Sequence, residues 1–427
     1  MDDFGGYVAS SDSLVVQPRM GFSDPETMRT GLAATAAAHA ATVGTITLDS
    51  FTRVGDLDTA ARAVRAGSDL NGYPILTHDS SVTERVLADS LAAGFPVQIR
   101  HGSALAHSIV ERLVQVGLTA TEGGPISYCL PYGRTPIAEA VTDWARTCET
   151  LAAARTPTRT PHLETFGGCL MGQLCPPSLL IAVSILEGMF FAGHGLTSVS
   201  LSYAQQTDER QDREALTVLR RLAARYLPNI RWHVVVYAYM GVYPTTIGGA
   251  TDLLGAAARL AVDGSAERLI VKTVAESKRI PTIEQNVAAL EHASATAAGR
   301  LRAADADISQ LDSGIEDEAL ALVEGALDCH RDIDVALVRA LNRGIIDVPY
   351  CLHPDNSGRA RAVIDGGGRL QWSSIGAMPL PVPTGVTAAM SSSALLDNLH
   401  HVQMKFDVPH LPVAAKADIP EMEGASR

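Results

Sequence analysis

The chain has 427 residues, of which 46% are hydrophobic and 19% charged, and its formal net charge is −13 at pH 7. This length and composition can bury a large interior, either as one large α/β barrel with an appendage or as two domains. The acidic balance argues against a nucleic-acid backbone as partner, because neutralising phosphates requires Lys and Arg gathered on one face.

Targeting, membrane and metal signals are missing from the sequence. The amino terminus, MDDFGGYVASSDS, lacks the basic start and apolar core of a secretion signal. The longest apolar run, 178–192, is interrupted by Glu187 and is too short to span a bilayer. The six cysteines form no CxxC pair, so neither a zinc site nor a disulfide framework is predicted. We expect a cytoplasmic protein with reduced thiols, no metal site and no membrane contact.

Residues 1–42 are mixed in pattern, with one distinctive stretch, VVQPRMGF, in which Arg19 lies between a proline and a glycine. Beyond this segment, short β-branched runs alternate with Ala- and Leu-rich segments of helical period. The predicted strands are 45–48, 74–77, 96–99, 118–121, 163–166, 198–203, 232–237 and 268–272. The predicted helices are 57–66, 82–93, 104–116, 136–154, 177–192, 210–226, 246–262 and 282–300.

Eight strand-helix pairs predict an α/β fold, a (β/α)8 TIM barrel over residues 43–302, with segment 1–42 contributing to its mouth. The competing open, doubly wound sheet usually has a G-x-G-x-x-G loop after its first strand, and DSFTRVGD stands there instead. Residues 303–427 are interpreted as an appendage. It is helical to about residue 343, then rich in Pro, Gly and Ser, with a strand near 369–372.

The barrel prediction requires that functional side chains gather at the carboxyl ends of the strands. Arginines at three such positions would bind a small dicarboxylate through paired hydrogen bonds, although any single arginine is more often simply exposed. Other candidates follow the remaining strands. The strand-end candidates are Arg19, Arg53, Asn71, Arg100, His101, Glu122, Phe166, Tyr243, Lys272 and Glu276.

The stretch TEGGPISYCLPY supplies Glu122 at a strand end, and Tyr128 and Tyr132 offer hydroxyl groups for a polar ligand. The alternative is a Gly/Pro turn with a solvated glutamate. Two other candidates also have ordinary alternatives. Lys272 is a Schiff-base lysine or an ion-pair partner of Glu276, and Phe166 is a core residue or part of a cofactor surface.

Several motifs together resemble the large (epsilon) subunit of glutamate mutase, also called methylaspartate mutase. They occur in the family's order between about residues 15 and 372, and they are QPRMGF, DSFTR, LNGYP, QIRHG, EGGPISYCLPY, FGGCLMGQLCPPS, SLSYAQQ, LIVKTVAE and IPT. The resemblance implies an isomerase, in which a (β/α)8 barrel uses adenosylcobalamin to interconvert L-glutamate and (2S,3S)-3-methylaspartate by a radical rearrangement.

The resemblance also implies roles for individual residues. Glu122 would hold the substrate amino group and assist proton movement. The other substrate-binding positions are Arg19, Arg53, Arg100, His101, Tyr128 and Tyr132. The positions implied to bind adenosylcobalamin are Gly21, Asn71, Pro131, Phe166, Tyr243, Lys272, Glu276 and Ile280.

The motif D-x-H-x-x-G, which supplies the lower cobalt ligand in this family, does not occur in the chain. The resemblance therefore implies a separate small cobalamin-binding subunit and a heterotetramer of two large and two small subunits. Two alternatives stay open. One is a mutase acting on a related dicarboxylate such as 2-oxoglutarate in a biosynthetic pathway, and the other is a noncatalytic barrel that partners the small subunit.

Overall fold

Eight parallel strands form one sheet in the computed structural model, which describes residues 3–131, 133–300, 313–383 and 391–412. The order of the strands across the sheet is β1-β8-β7-β6-β5-β4-β3-β2. The strands are β1 (Val15–Gln17), β2 (Gly44–Thr47), β3 (Val97–Arg100), β4 (Ala120–Gly123), β5 (His162–Thr165), β6 (Ser198–Ala204), β7 (Arg231–Tyr237) and β8 (Arg268–Ile270).

The two ends of this sheet meet. Strand β1 pairs with β8 along its length, and Val16 also forms a parallel bridge with Thr42, just before β2. Farther along, the Thr47 amide donates to the Met20 carbonyl at 2.8 Å. These contacts join the edges of the sheet into a barrel, so the predicted (β/α)8 fold is confirmed.

The helices follow the strands as the fold requires. Helix α1 precedes β1, α2 connects β1 to β2, and α3 to α5 lie between β2 and β3. The helices up to the end of the barrel are α1 (Phe4–Ser10), α2 (Pro25–Ala37), α3 (Ser50–Val54), α4 (Leu57–Arg65), α5 (Ser80–Ala93), α6 (His107–Gln115), α7 (Ile137–Ala153), α8 (Pro177–Gly193), α9 (Glu209–Tyr226), α10 (Ile247–Asp263) and α11 (Ile283–Ala297).

One predicted strand is wrong. Residues 74–77 form a turn, and only the neighbouring Tyr73 makes an isolated bridge, to Leu48. Pro74 has no amide proton to donate to a central ladder. Strand β1, at Val15–Gln17, takes the missing place in the barrel. Its three residues are too few to show a strand pattern in the sequence. Because β1 is part of the sheet, segment 1–42 supplies one of the barrel strands.

Helix α1 covers the amino-terminal end of the barrel. Asp3 accepts a hydrogen bond from the Gly6 amide at its start and forms an ion pair with Arg231 at the start of β7. The ring of Phe4 lies 5.0 Å from the guanidinium carbon of Arg268, inside the barrel. This end is closed, so access to the interior lies at the opposite, carboxyl end of the strands.

The appendage packs on the outside of the barrel. Its helices are α12 (Ile315–Leu327), α13 (Ile333–Arg343) and α14 (Ser392–Asp407), and its two strands, β9 (Arg361–Ile364) and β10 (Leu370–Ser374), form an antiparallel pair. The strand predicted near 369–372 is thus confirmed. The Trp372 indole donates to Ser178 at 3.3 Å, which ties β10 to α8. The predicted division at residue 303 lies outside the described residues.

The cysteines and apolar segments carry no membrane or metal signal within the described part of the chain. All six cysteines are buried and none forms a disulfide. No described helix is both long and apolar enough to cross a membrane. Nor do the described His, Cys, Asp and Glu side chains form a group of three that could hold a metal ion.

Candidate active site

A cavity of about 850 Å³ opens at the carboxyl ends of the barrel strands. The loops after β1, β2 and β3 and the end of β4 bring polar side chains to it from distant parts of the chain. The predicted site residues that line it are Arg19, Arg53, Arg100, His101, Glu122, Tyr128 and Phe166. Arg19, Arg53, Arg100 and the carboxylate of Glu122 thus lie around a single volume, which Arg134 also lines.

Arg100 and Glu122 form the central ion pair of this cavity. The Arg100 Nε donates to Glu122 Oε2 at 2.7 Å, and both side chains are almost fully buried. Burial opposes the positive charge, but the adjacent Glu122 and two tyrosines more than compensate and raise the pKa of Arg100. The Tyr128 hydroxyl donates to Glu122 Oε1. The Glu122 carboxylate is therefore held by Arg100 from β3 and by Tyr128 from the loop after β4.

A polar column continues below Glu122 into the barrel. The Tyr237 hydroxyl lies 2.7 Å from Glu122 Oε2 and within hydrogen-bond distance of Glu164 Oε1. Glu164 in turn forms an ion pair with Arg268, and both are completely buried. Gln17 accepts from Arg268, completing the connection to β1. A connected chain of buried polar groups thus runs from Arg268 through Glu164 and Tyr237 to Glu122 at the cavity.

Arg53 and Arg19 add positive charge to the rim. Among the described residues, Arg19 and Arg100 each form a salt bridge, but Arg53 does not. The Arg53 Nε instead donates to the Leu48 carbonyl at 3.0 Å. Burial, followed by the nearby charges of Arg100 and Arg19, lowers the pKa of Arg53. A cation destabilised by other cations favours an anionic ligand, and the rim is suited to carboxylates.

His101 is neutral in this setting. Burial, then the charge of Arg53, lowers the pKa of His101 to about 3. Its Nδ1 accepts from the Ser103 amide at 3.1 Å, so the ring proton is on Nε2, which has no hydrogen-bond partner among the described residues. Trp144 stacks on one face of the ring. His101 can therefore donate one neutral hydrogen bond but cannot contribute a positive charge.

The loop after β4 is fixed by a buried glutamate. Glu187 on α8 accepts from the amides of Ile126 and Ser127, at 3.2 and 2.8 Å. Burial raises the pKa of Glu187 to about 7. A Cβ on Gly124 would lie 2.1 Å from this carboxylate, so only glycine allows the approach. The carboxylate of Glu187 thus positions the loop that carries Tyr128.

Lys272 and Glu276 lie beyond β8, but they are not ion-paired with each other in the described structure. Glu276 Oε2 instead accepts from Arg19 at 3.3 Å, and Lys272 Nζ lies 3.5 Å from the Tyr239 carbonyl and 4.4 Å from the Tyr243 ring centre. The alternative in which Glu276 neutralises Lys272 is therefore not observed. Burial, then the charge of Arg19, lowers the pKa of Lys272 to about 8.

This pKa predicts a measurable pH dependence of stability. The unfolded chain binds more protons than the folded one between pH 8 and 10.5, so the protonated lysine costs about 3 kcal/mol below that window. Relative to Lys272→Met, the wild-type free energy of unfolding should rise with pH in that window, by at most about 1.4 kcal/mol per pH unit. Urea unfolding of both proteins at several pH values measures this; parallel pH profiles would contradict it.

The other implied cofactor positions are distributed around the same rim. Asn71 is exposed, and its Oδ1 accepts from the Ser50 amide at 2.9 Å, while Pro131 is half-buried. Tyr243 is buried beneath Lys272, and Ile280 is 52% exposed. Phe166 is buried against Tyr128 and Tyr237 and also lines the cavity. Tyr132 lies outside the described residues.

Gly21 makes the closest backbone approach of the group. A Cβ there would lie 2.2 Å from the Thr47 carbonyl oxygen at the end of β2. Gly21→Ala should therefore displace the loop and lower the free energy of unfolding by about 1–3 kcal/mol. Gly366→Ala is the matched control, because a Cβ there has no neighbour within 4 Å. Equal urea midpoints for the two variants would contradict the close approach.

Sequence reasoning missed the residues that support the site from below. Tyr237 was placed at the end of a strand without a role, and Glu164, Arg268 and Glu187 were not singled out as site residues. The signal that could have revealed Glu164, Arg268 and Glu187 is a charged residue inside a segment whose other residues are apolar. Charged side chains are rarely buried unless they are paired.

Comparisons with known proteins identify a family for this chain. The family model described as methylaspartate mutase E chain (MutE) matches residues 6–390. The glutamate mutase epsilon subunit of Yersinia enterocolitica is 30% identical over 351 residues, which cover 78% of this chain and 72% of the relative. That of Haloarcula marismortui is 29% identical over 389 residues, covering 88% and 79%.

A third relative has the same name as the first two. The glutamate mutase epsilon subunit of Halobacterium salinarum is 31% identical over 348 residues, covering 78% of this chain and 71% of the relative. The family match spans the barrel strands and every candidate site residue named above. The chain therefore belongs to the methylaspartate mutase E chain family, a family of isomerases.

Proposed function

We propose that the chain is the catalytic subunit of an adenosylcobalamin-dependent glutamate mutase, which interconverts L-glutamate and (2S,3S)-3-methylaspartate. The observation that carries the proposal is that Arg19, Arg53 and Arg100 line one cavity together with the buried, ion-paired carboxylate of Glu122. Two carboxylates and an ammonium group are the charges of glutamate, and this site has complementary groups for each.

The arginines account for the carboxylates of the substrate. Arg53 has its Nη groups available within the described structure, and Arg100 uses only its Nε on Glu122. A guanidinium group can bind a carboxylate through two parallel hydrogen bonds, so two or three of them fix the orientation of a dicarboxylate. A fixed orientation presents one carbon to the reaction and protects the others.

Glu122 accounts for the amino group. Its carboxylate has about four acceptor positions. Tyr128 occupies one on Oε1, while Arg100 and Tyr237 occupy both on Oε2. One position on Oε1 is left for a donor in the cavity. A substrate ammonium bound there can also give its proton to Glu122 and take it back.

The residues around the rim fit adenosylcobalamin. When bound, the cofactor supplies the radical chemistry. Lys272 would offer donors to it, because its ammonium group makes only one hydrogen bond in the described structure, a long one. Gly21 and Gly72 let their loops lie directly against the backbone at the end of β2, where a Cβ would collide with it. The residues of this chain would orient the substrate and exclude water.

A partner would cover the cavity. Several large apolar side chains are exposed at the rim, including Val54 at 73% and Leu352 at 83%. Leu57 and Leu105 line the cavity beside Val54, and Arg134 of the same lining donates to the Leu352 carbonyl. Exposed apolar residues gathered around a cavity mark a docking surface. We assign it to a small cobalamin-binding subunit, within a heterotetramer in the cytoplasm.

Reconstitution tests the proposal. The purified chain is mixed with a cobalamin-binding subunit carrying D-x-H-x-x-G, adenosylcobalamin and L-glutamate. The expected result is 3-methylaspartate, detected by NMR, together with an electron paramagnetic resonance signal. If the complex converts 2-oxoglutarate but not glutamate, the substrate is the related dicarboxylate and not glutamate. Absence of turnover and of any signal with either acid, while the subunits bind each other, would favour the noncatalytic alternative.

A further inference from the structure

The column below Glu122 contains one hydroxyl group between two carboxylates. Tyr237 Oη is 2.7 Å from Glu122 Oε2 and also lies within hydrogen-bond distance of Glu164 Oε1. All three side chains are buried, so water does not mediate these contacts. The arrangement links the site carboxylate directly to the buried ion pair of Glu164 and Arg268.

The Tyr237 hydroxyl has only one proton to offer to the two carboxylates. Burial, followed by the charges of Glu122 and Glu164, raises the pKa of Tyr237, so its hydroxyl keeps its proton. One hydroxyl proton can be donated to only one carboxylate at a time. For the second contact to be a hydrogen bond, the other carboxyl group must carry a proton of its own.

Glu164 is the better placed of the two to remain a carboxylate. Its Oε2 accepts from Arg268, from Gln98 at 3.3 Å and from Ser200 at 3.1 Å. These donors are enclosed in the barrel and have fixed positions. Glu122 faces the cavity instead, where a ligand can bring or remove a proton. The two ends of the Tyr237 contact are therefore not equivalent.

We propose that Tyr237 is a positioning residue that redirects its hydroxyl hydrogen bond between Glu122 and Glu164, so that Glu122 can take and return the proton of a substrate ammonium group. This inference rests on the function proposed above. In the resting arrangement, Tyr237 donates to the Glu122 carboxylate.

The proton balance of the step is simple. An N–H bond of the substrate ammonium breaks and an O–H bond forms on Glu122, which leaves a neutral amine and a neutral carboxylic acid. The new hydroxyl is on Oε1, the oxygen with a free position, so Oε2 becomes the carbonyl oxygen of the acid and a weaker acceptor. The Tyr237 hydroxyl then turns toward the Glu164 carboxylate without losing its proton. The reverse movements restore the ammonium group and the carboxylate.

Other charged groups around Tyr237 stay constant during the step. Arg100 on β3 lies over the Tyr237 ring, with its guanidinium carbon 5.2 Å from the ring centre, and stays charged. Arg268 on β8 is ion-paired with Glu164. The Cys169 thiol follows β5, and burial raises its pKa, so it stays neutral. Glu122 is then the group of this column that changes its protonation.

Tyr237→Phe tests the inference, with Tyr203→Phe as the matched control. Tyr203 is also buried and also donates to a buried carboxylate, Asp212, at 2.8 Å, but Asp212, unlike Glu122, does not line the cavity. Loss of a hydrogen bond to a carboxylate favours its neutral form. In the reconstituted complex, kcat should fall about 10- to 100-fold in Tyr237→Phe with little change in KM. The Tyr203→Phe control should keep both constants.

Infrared spectroscopy without substrate or cofactor gives an independent readout. The Glu122 carboxylic-acid band, identified by its loss in Glu122→Gln, is followed as a function of pH. We expect its midpoint to move to higher pH by about one unit in Tyr237→Phe, and not in the Tyr203→Phe control. An unchanged midpoint and band frequency would overturn the inference, whether or not the enzyme turns over glutamate.

A second replacement covers the case in which Tyr237→Phe does not fold. Incorporating 3-fluorotyrosine at position 237 preserves the shape of the side chain and makes the hydroxyl a stronger donor. The midpoint of the Glu122 band should then move to lower pH, opposite to the effect of phenylalanine. A midpoint equal to that of the unmodified protein would contradict the shared hydrogen bond.

Discussion

Arg100→Met is expected to lower kcat/KM for the dicarboxylate substrate by about 10³-fold or more. The substitution removes a guanidinium group that faces the cavity, and it also leaves Glu122 buried without its cation. Breaking a buried pair from one side costs about 3–5 kcal/mol, so stability should fall together with activity. Steady-state kinetics and urea unfolding measure the two effects separately.

The double variant Arg100→Met/Glu122→Gln is the control for this prediction. It removes both charges, so most of the lost stability should return while turnover stays lost. Circular dichroism of both variants shows whether the barrel is intact. Normal kcat/KM in Arg100→Met with a folded barrel would remove Arg100 from the substrate-binding set.

Glu122→Gln is expected to reduce kcat by about 10²- to 10³-fold while KM changes only a few-fold. The amide has nearly the same shape as the carboxylate and can still accept from Tyr128 or Arg100 through its oxygen. It cannot take a proton from a substrate ammonium group. The effect therefore falls on the chemical step more than on binding, and steady-state kinetics of the reconstituted complex measure it.

Glu111→Gln provides the comparison for Glu122→Gln, because Glu111 is a largely exposed glutamate on α6 that does not line the cavity. Its kcat and KM should equal those of the wild type. A Glu122→Gln variant with the same kcat as this control would show that the carboxylate takes no part in the reaction.

The strands that carry the site could be predicted because each is a short buried run followed by a polar residue. Strand β4 illustrates this: the apolar run that starts at Leu118 and the glycines Gly123 and Gly124 predict Glu122 at the carboxyl end of a strand, and Glu122 is the third residue of β4. Strand β1 could not be found in the same way. Its place is fixed by pairing with Arg268–Ile270, about 250 residues later in the chain, which local pattern does not encode.

The contacts between the site residues were harder to predict than which residues belong to the site. An ion pair of Glu276 with Lys272, four residues earlier, was one of two alternatives, but Glu276 pairs with Arg19, which is 257 residues away in the chain. The chain leaves β8 without forming a helix there, so the spacing of four does not bring the two side chains together. Three-dimensional closure of the barrel decides which charges meet.

The interior of this barrel is more polar than is usual for the fold. TIM barrels are commonly filled by layers of branched apolar side chains. Here Gln17, Gln98, Glu164 and Arg268 form a fully buried, hydrogen-bonded layer beneath the site. Such a layer is costly unless every member is paired, and here each has partners. Its consequence is that Glu122 and Tyr237 are supported by a rigid base.

The most direct measurement is a crystal structure of the reconstituted complex with adenosylcobalamin and L-glutamate. We expect both substrate carboxylates at about 2.7–2.9 Å from guanidinium nitrogens of Arg19, Arg53 or Arg100, with the amino group on Glu122. Glutamate bound elsewhere, or bound in the cavity with its carboxylates away from these arginines, would contradict the account.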